Sequence, residues 1–349
     1  MAEASLSLQA RFSRIARRRQ LLLLTLAVGL VLSLGFDLMA GPAALGPGDI
    51  VRGLFDPDSL DLRHRIILWD VRLPDALIAL AVGAALSLAG VETQTVLDNP
   101  MASPFTLGIS SAAMLGAGVA IVLAPVLPMI PPAAILPALA LLFALAAGVL
   151  ILLVIRFSGG ARETVILFGI ALVFLANALT GALHYIAEAD AVQQVVFWTI
   201  GNLTKAGWTE VWIVSAVMLF MLPFSLRDVW VLTLLRGGEA HARSLGVDVM
   251  RLRLWVILRA SVLTAFAVCF VGTIAFIGLV GPHIARLLLG EDHRLLVPGA
   301  VLAGALLLSV SSILTKALIP GVIVPVGIIT AVIGVPVLLS LLFSRGRRA

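Results

Sequence analysis

Charged residues are scarce in this sequence of 349 residues: Asp, Glu, Lys and Arg together make up 12% of it, about half their share in an ordinary soluble domain. Hydrophobic residues make up 61%. A soluble fold needs more charged residues than this at its surface, because most of that surface meets water. The composition therefore excludes a soluble domain and predicts a membrane protein. The lack of a short repeat or a polar tract excludes collagen, coiled coil and disordered chains.

Cysteine and lysine are nearly absent, and each absence excludes a kind of chemistry. The one cysteine, Cys269, lies inside an apolar run, so the sequence has no disulfide scaffold. Neither of the two lysines, Lys205 and Lys316, stands in a P-loop, so we expect no ATP hydrolysis by this chain alone. The five histidines are scattered without the spacing of metal ligands. The sequence therefore predicts no metal site, no cofactor and no enzymatic activity of its own.

Long apolar runs make up most of the chain, and each membrane crossing needs about 20 apolar residues. The runs predict ten membrane-spanning helices, at residues 20–40, 76–96, 105–124, 133–155, 163–186, 208–226, 252–271, 273–289, 296–318 and 324–343. The first run is too long for the apolar part of a secretory signal, so we interpret it as a retained span. Residues 252–289 form a nearly continuous apolar stretch that glycines and a proline interrupt, and there we expect a tight hairpin between the seventh and eighth spans.

The basic residues predict the orientation of the chain, because Lys and Arg in short loops favour the cytoplasmic side of a membrane. With a cytoplasmic N-terminus, 18 of the 24 basic residues fall on that side and 6 on the other. This asymmetry explains the net charge of +5 without nucleic-acid binding. Ten spans leave both termini cytoplasmic. We expect a basic N-terminus (1–19), one transmembrane domain (20–343) with an internal loop (about 227–251), and a cytoplasmic tail (344–349).

Polar residues inside the apolar runs are the first candidates for a transport site, because they are costly there. Asn177, Thr180 and His184 share one face of the fifth span. From their spacing alone, lining a pathway and bonding to neighbouring helices are equally open. Glu92 in the second span is a further candidate, and we favour the interpretation that it reaches water at the membrane edge.

Proline and glycine break the apolar runs, at residues 99–100, 159–160 and 281–282 among others. Broken helices are tolerated in a membrane only where protein or an aqueous cavity satisfies the freed backbone groups. The pattern therefore favours a transporter over a simple membrane anchor. Two small-residue spacings predict close helix packing, Gly83-x3-Ser87 and Ala300-x3-Gly304.

Several long motifs follow one another in a fixed order. The first half has RLPDALIALAVGAALSLAG (72–90) and DNPMASPFTLGISSAAMLGA (98–117). After FWTIGNLTKAGW (197–208), the second half has EAHARSLGV (239–247), GTIAFIGLVGPHIARLLLGEDHRLLVPG (272–299) and PVGIITAVIGVP (325–336). Over most of residues 65–343, the sequence resembles the permease subunits of ABC importers for iron–siderophore complexes, haem and vitamin B12, the FecCD family.

The resemblance implies an all-α integral membrane protein with the type II ABC importer permease architecture. It implies a dimer with a second copy or a paralogous permease subunit, around a central pathway. Two ATP-binding-cassette ATPase subunits would bind ATP and magnesium on the cytoplasmic side. A periplasmic or lipid-anchored solute-binding protein would deliver the ligand. The chain itself would contact membrane lipid and no nucleic acid.

Matching positions carry the family's pathway and gate to this sequence. The fifth helix lines the pathway in the family, which favours pathway lining for Asn177, Thr180 and His184. The cytoplasmic gate of the vitamin B12 permease matches two loops, which contain Asn99, Met101, Ser158, Gly159 and Gly160.

Matching positions also imply two docking surfaces. The short helices that dock into the ATPases match Arg236, Gly238, Glu239, Arg243, Ser244, Leu245 and Gly246. Of these, Gly246 is expected to end a short helix. The basic residues that receive the binding protein match Arg72 and Lys316.

Three residues depart from the family pattern. Asp75 stands where a second basic residue is usual, Ile323 where an acidic residue is common, and Glu92 where the family is usually apolar. Asp75 changes the charge pattern expected for docking: either the binding protein has an altered charge complement, or docking uses Arg63 and Arg65 as well.

The expected function is import of a ferric siderophore or a similar iron chelate across a bacterial or archaeal cytoplasmic membrane. Haem and vitamin B12 are alternative ligands, since no residue named above distinguishes them. In a different class, an ion-coupled secondary transporter would use Glu92 and His184 as ion sites and would need no ATPase.

Overall fold

The computed structural model describes residues 2–41, 43, 45–124, 131–319 and 322–345. These residues form fifteen α-helices: α1 (Ala2–Met39), α2 (Pro47–Phe55), α3 (Leu62–Ile66), α4 (Leu73–Val96), α5 (Ile109–Leu123), α6 (Pro132–Phe157), α7 (Arg162–Ile186), α8 (Ala189–Thr199), α9 (Trp208–Arg227), α10 (Val229–Leu235), α11 (Glu239–Ser244), α12 (Val249–Val271), α13 (Ile277–Leu289), α14 (His293–Ala317) and α15 (Val326–Arg345). A π-helical stretch (Ile67–Arg72) joins α3 to α4. The described residues contain no β-strand beyond one isolated bridge, so the predicted all-α fold is confirmed.

Each of the ten predicted spans coincides with a helix: α1, α4, α5, α6, α7, α9, α12, α13, α14 or α15. Among the described residues, seven helical stretches are long and apolar enough to cross a membrane. The other three, α5, α13 and the stretch Val326–Ser340 of α15, have only 10–17 residues. A helix of about 15 residues covers about 22 Å, less than the roughly 30 Å of a bilayer's hydrocarbon core. We infer that the non-helical residues before α5 and α13 complete those crossings.

The predicted tight hairpin between the seventh and eighth spans is wrong. Residues 272–275 continue as extended chain after α12, and α13 then packs chiefly against α4 and α14. The hydroxyl of Thr273 donates to the carbonyl of Thr199 over 2.5 Å. Gly272, at φ 78°, lies against the carbonyl of Trp198, an approach that any side chain would prevent. These contacts draw the linker towards the end of α8 instead of back along α12.

α4 lies against many of the other long helices, and small residues let its neighbours approach closely. Gly83 lies against the backbone of Gly304 in α14, and Gly90 lies against that of Gly278 in α13. The hydroxyl of Ser87 donates to a carbonyl of α14 over 2.6 Å. The close packing predicted from the two small-residue spacings is confirmed. Close backbone contact is a main source of helix association in lipid, where apolar burial alone drives little.

Two buried ion pairs tie distant helices together inside the bundle. Glu92 of α4 is fully buried and accepts a hydrogen bond from Arg259 of α12 over 2.8 Å; Arg259 also donates to Asp228 over 2.6 Å. Lys316 of α14 pairs with the buried Asp37 of α1 over 2.9 Å. Such charges are paired because an isolated one is expensive to bury. The interpretation that Glu92 reaches water is therefore wrong, since a guanidinium compensates its charge.

Gly90→Ala tests the close approach of α4 and α13. The added methyl group would overlap the carbonyl oxygen of Gly278, and overpacking of this kind costs about 1–3 kcal/mol. We expect a lower unfolding temperature for the detergent-solubilised protein. Gly35→Ala, on α1, is the control, because nothing lies within 4 Å of a Cβ at that position. Equal unfolding temperatures for the two variants would contradict the packing.

Arg259→Leu tests the ion pair with Glu92. Removing one partner of a buried pair typically costs about 3–5 kcal/mol, because the other charge is left uncompensated. We expect the double variant Glu92→Leu/Arg259→Leu to be more stable than Arg259→Leu alone, since it no longer buries a lone carboxylate. Thermal unfolding of Arg259→Leu, Glu92→Leu and the double variant, each against the wild type, measures this coupling. Additive losses would show that the two groups do not interact.

Candidate functional site

The predicted gate residues lie in two turns at one end of the bundle. After α4, the side-chain oxygen of Asn99 accepts a hydrogen bond from the backbone N–H of Met101 over 2.9 Å, which closes the first turn. Between α6 and α7, Gly159 and Gly160 have φ values of 63° and 80°, in the left-handed region that favours glycine. The hydroxyl oxygen of Ser158 is buried and has no partner among the described residues.

Arg253, in the second turn of α12, joins the end of α4 and the second gate turn to the predicted coupling segment. Its side chain is only 2% exposed. Its Nε donates to the carbonyl of Val96 at the end of α4 over 3.1 Å, and its Nη1 donates to the carbonyl of Gly160. Its Nη2 binds the carboxylate of Glu239, the first residue of α11. One guanidinium therefore fixes the position of α11 relative to the end of α4 and to the turn at Gly160.

Glu239 is surrounded by positive charge. Besides Arg253, its carboxylate has Arg162 and Arg243 as neighbours, each with a guanidinium nitrogen at 3.5 Å. Partial burial alone would raise the pKa of Glu239, but these three guanidinium groups outweigh it and hold the pKa below its ordinary value. Its contribution to stability is therefore complete above the ordinary pKa, and it is lost only as the pH falls through the lowered value.

A second set of ion pairs continues from this cluster across the same end of the bundle. Asp98, after α4, pairs with Arg162 over 2.7 Å and with Arg236 over 3.4 Å. Arg236 pairs with Glu291 over 3.0 Å, and Glu291 pairs with Arg286 of α13 over 3.2 Å. Each exposed pair contributes little alone. Together they connect the ends of α4, α7, α10 and α13.

The predicted coupling residues all lie between the end of α10 and the turn after α11. Ala242 is the buried anchor of α11. Gly246, at φ 84°, ends this helix as expected, and its N–H donates to the carbonyl of Arg243 over 3.0 Å. The exposed surface of the segment includes Gly238, Arg243, Ser244 and Leu245. This surface is free for contact with another subunit, while Glu239 faces inward.

The predicted pathway residues lie on α7 but do not share one environment. Asn177 is exposed, whereas Thr180 is buried and donates to the carbonyl of Ala176 over 2.9 Å. His184 is half-buried, and its Nε2 has no partner among the described residues. Most of the open face of α7 is apolar, and Tyr185 near its end is 92% exposed. Pathway lining stays a prediction, with Asn177 the best placed of the three.

The two predicted docking residues are buried in this structure. Arg72 donates to the carbonyl of Leu38 over 2.7 Å, and so holds the end of α1. Lys316 is directed inward to Asp37, and Asp75 lies 4.0 Å from the same ammonium group. The acidic residue that departs from the family pattern thus lies within a buried charge cluster. Neither Arg72 nor Lys316 presents its charge at the surface here.

Exposed basic residues do occur at that end of the bundle. Arg52 in α2, Arg63 in α3 and Lys205 before α9 have no ion pair within the described part of the chain. Arg65, the other candidate from the sequence, pairs with Asp58 over 2.5 Å. The exposed positive charge is therefore displaced from the positions that the motifs indicated.

Sequence reasoning missed Arg253, Arg162 and Asp98, which connect the predicted segments. Arg253 had a signal: it lies within an apolar span, where a charge needs a partner. The partners could not be identified, because Gly160 and Glu239 are 93 and 14 residues away in sequence. The described residues contain no group of three His, Cys, Asp or Glu side chains that could hold a metal ion.

Comparisons with known proteins extend these observations. Residues 25–344 match the FecCD transport family. The hemin transport system permease protein HmuU of Yersinia pestis is 35% identical, over 92% of this chain and 96% of that protein. The Fe(3+) dicitrate transport system permease protein FecD of Escherichia coli K12 is 40% identical, over 78% of this chain and 84% of that protein. A solved structure is described as an inward-facing conformation of a metal-chelate type ABC transporter. It has a TM-score of 0.81 at 29% identity and covers 93% of this chain and 99% of its own.

These matches run through the whole membrane-spanning bundle and both ends of it. The architecture is that of type II ABC importer permeases, as the sequence motifs implied. The chain is a multi-pass membrane permease and belongs to the FecCD transport family.

Proposed function

We propose that this chain is the membrane-spanning subunit of an ATP-driven importer for a ferric siderophore or a similar iron chelate. It works in a bacterial or archaeal cytoplasmic membrane with both termini in the cytoplasm. Its partners are a second permease subunit, two ATP-binding-cassette ATPases that hold ATP and magnesium, and a solute-binding protein. The observation that carries the proposal is the contact of Arg253 with the end of α4, with the gate turn at Gly160 and with α11.

The mechanism follows from that contact. The exposed surface of α11 receives the ATPase, and Arg253 passes the displacement of α11 to the turn at Gly160 and to the end of α4. ATP binding then biases the gate between two conformations, which is the requirement for coupling two distant sites. The chain's own residues supply the linkage and the gate, and the ATPase subunits supply the free energy.

The choice of an iron chelate is supported by the relatives. One is named for Fe(3+) dicitrate, another for hemin, and the solved structure is described as of the metal-chelate type. The open face of α7 is large and mostly apolar. This favours a bulky ligand whose identity is selected by the binding protein. Haem and vitamin B12 are the competing ligands in the test below.

The binding protein docks, in this proposal, on the exposed basic residues Arg52, Arg63 and Lys205. Charges at the rim of an interface steer encounter and orientation more than they add affinity. Arg72 and Lys316 support this surface from beneath, by fixing the end of α1 and the buried carboxylates.

An ion-coupled secondary transporter is the competing class, and the structure weighs against it. In a transporter of that class, Glu92 and His184 would bind the coupling ion. The carboxylate of Glu92 is fully buried against Arg259, so it is compensated by a fixed charge instead of facing an open route for ions.

ATP-dependent uptake tests the proposed function. Proteoliposomes would contain this chain with its co-expressed ATPase and binding protein, and would be offered ferric siderophores, haem and cobalamin in turn. We expect uptake of a ferric siderophore only when ATP and binding protein are both present. Uptake of haem or cobalamin alone would change the substrate. Uptake without ATP, driven by a proton gradient, would overturn the importer assignment.

Glu239→Gln tests the coupling mechanism. The change removes the negative charge that Arg253 binds, and a hydrogen bond to a charged group is worth about 1.5–3 kcal/mol. We expect transport per ATP hydrolysed to fall about tenfold while the ATPase still co-purifies. Glu163→Gln is the matched control, because Glu163 is an exposed acid in the first turn of α7. Equal coupling in the two variants would contradict the mechanism.

A further inference from the structure

A cavity of about 640 Å³ opens between α9 and α12, at the end of the bundle that carries the coupling segment. Its inner wall is mostly apolar and aromatic, with Phe220, Phe224, Trp255 and Val262 among its lining residues. Phe220 is 63% exposed and Trp255 is 53% exposed. Both helices are long enough to cross a membrane.

The mouth of the cavity carries two exposed arginines. Arg227, the last residue of α9, and Arg251, in the first turn of α12, are exposed and have no ion pair within the described part of the chain. The two carboxylates beside them form no ion pair with Arg227 or Arg251, and the charge of Asp248 lies next to Arg251. Asp228 binds Arg259 over 2.6 Å, and Asp248 accepts the backbone N–H of Arg251 over 3.0 Å as the N-cap of α12.

We propose that this cavity binds one anionic phospholipid. Its phosphate lies between the guanidinium groups of Arg227 and Arg251, and its acyl chains lie along the aromatic wall. Arginine pairs bind phosphate oxygens well because the guanidinium presents several donors in a fixed plane. Bulk lipid offers the same acyl chains, so the two arginines supply the selectivity. Basic pockets between membrane helices are suited to anionic head groups.

The bound lipid would act on coupling. α9 and α12 flank the coupling segment, because the chain leaves the membrane at Arg227 and re-enters at Val249. A phosphate held by both arginines joins the two ends and fixes the base of α11. Arg253, which contacts the gate turn at Gly160, is two residues beyond Arg251. The assignment of the lipid to the cytoplasmic leaflet rests on the chain orientation given under the proposed function. The binding of the lipid does not depend on that orientation.

Lipid retention by the purified chain tests the proposal. Native mass spectrometry would compare phosphatidylglycerol with phosphatidylcholine of the same acyl chains. We expect the wild type to prefer phosphatidylglycerol. Arg227→Gln/Arg251→Gln should reduce that preference about 30-fold, if each arginine contributes as a basic residue does near an anionic membrane surface. Arg227→Lys/Arg251→Lys should retain most of it, which separates loss of charge from a folding defect.

Arg52→Gln/Arg63→Gln is the matched control, because these exposed arginines lie at the opposite end of the bundle. It should leave the preference unchanged. Equal binding of the two lipids by the wild type would overturn the proposal, as would a preference that survives Arg227→Gln/Arg251→Gln. The assay needs no ATPase, binding protein or substrate, so its failure is distinguishable from failure of the transport assignment.

Discussion

The buried guanidinium of Arg253 is the interaction on which the functional end of this protein depends. Removing a guanidinium from water is expensive, so its donors must all find acceptors. They find them in three separate places: the end of α4, the turn at Gly160 and the carboxylate of Glu239. Displacing any one of these would leave part of a buried charge unsatisfied. The cost of desolvation therefore makes the end of α4, the gate turn at Gly160 and α11 one mechanical unit.

The membrane-spanning part places Arg253 through backbone contact between small residues. Gly83 and Gly90 bring α14 and α13 against α4, and the pair of Glu92 with Arg259 draws α12 onto the same helix. Because α12 is fixed to α4 at Arg259, Arg253 six residues earlier reaches the end of α4. Irregular backbone before α5 and α13 is tolerated because it is largely buried by protein, as the lack of water in the bilayer requires.

The sequence predicted the helices well and their partners poorly. Apolar length located every span, and the spacing of small residues indicated that Gly83 and Gly304 lie at close helix contacts, because both signals are properties of a single segment. The burial of Arg72 and Lys316 was not predictable, since it depends on carbonyl groups and carboxylates from other helices. The expected hairpin failed for the same reason: contact with α8, distant in sequence, decides the path of residues 272–275.

A distance measurement between spin labels tests most directly whether the gate and the coupling helix move as one. Labels at the exposed positions Thr164, beside the second gate turn, and Ser244, at the end of α11, would be compared in the assembled transporter with and without ATP. The native Cys269 is buried, so labelling stays specific. If the gate turn and α11 move as one unit, the distance between the two labels is the same in both states. In Arg253→Met, the distribution of that distance is broader. A shift of the wild-type distance on ATP binding would contradict movement as one unit.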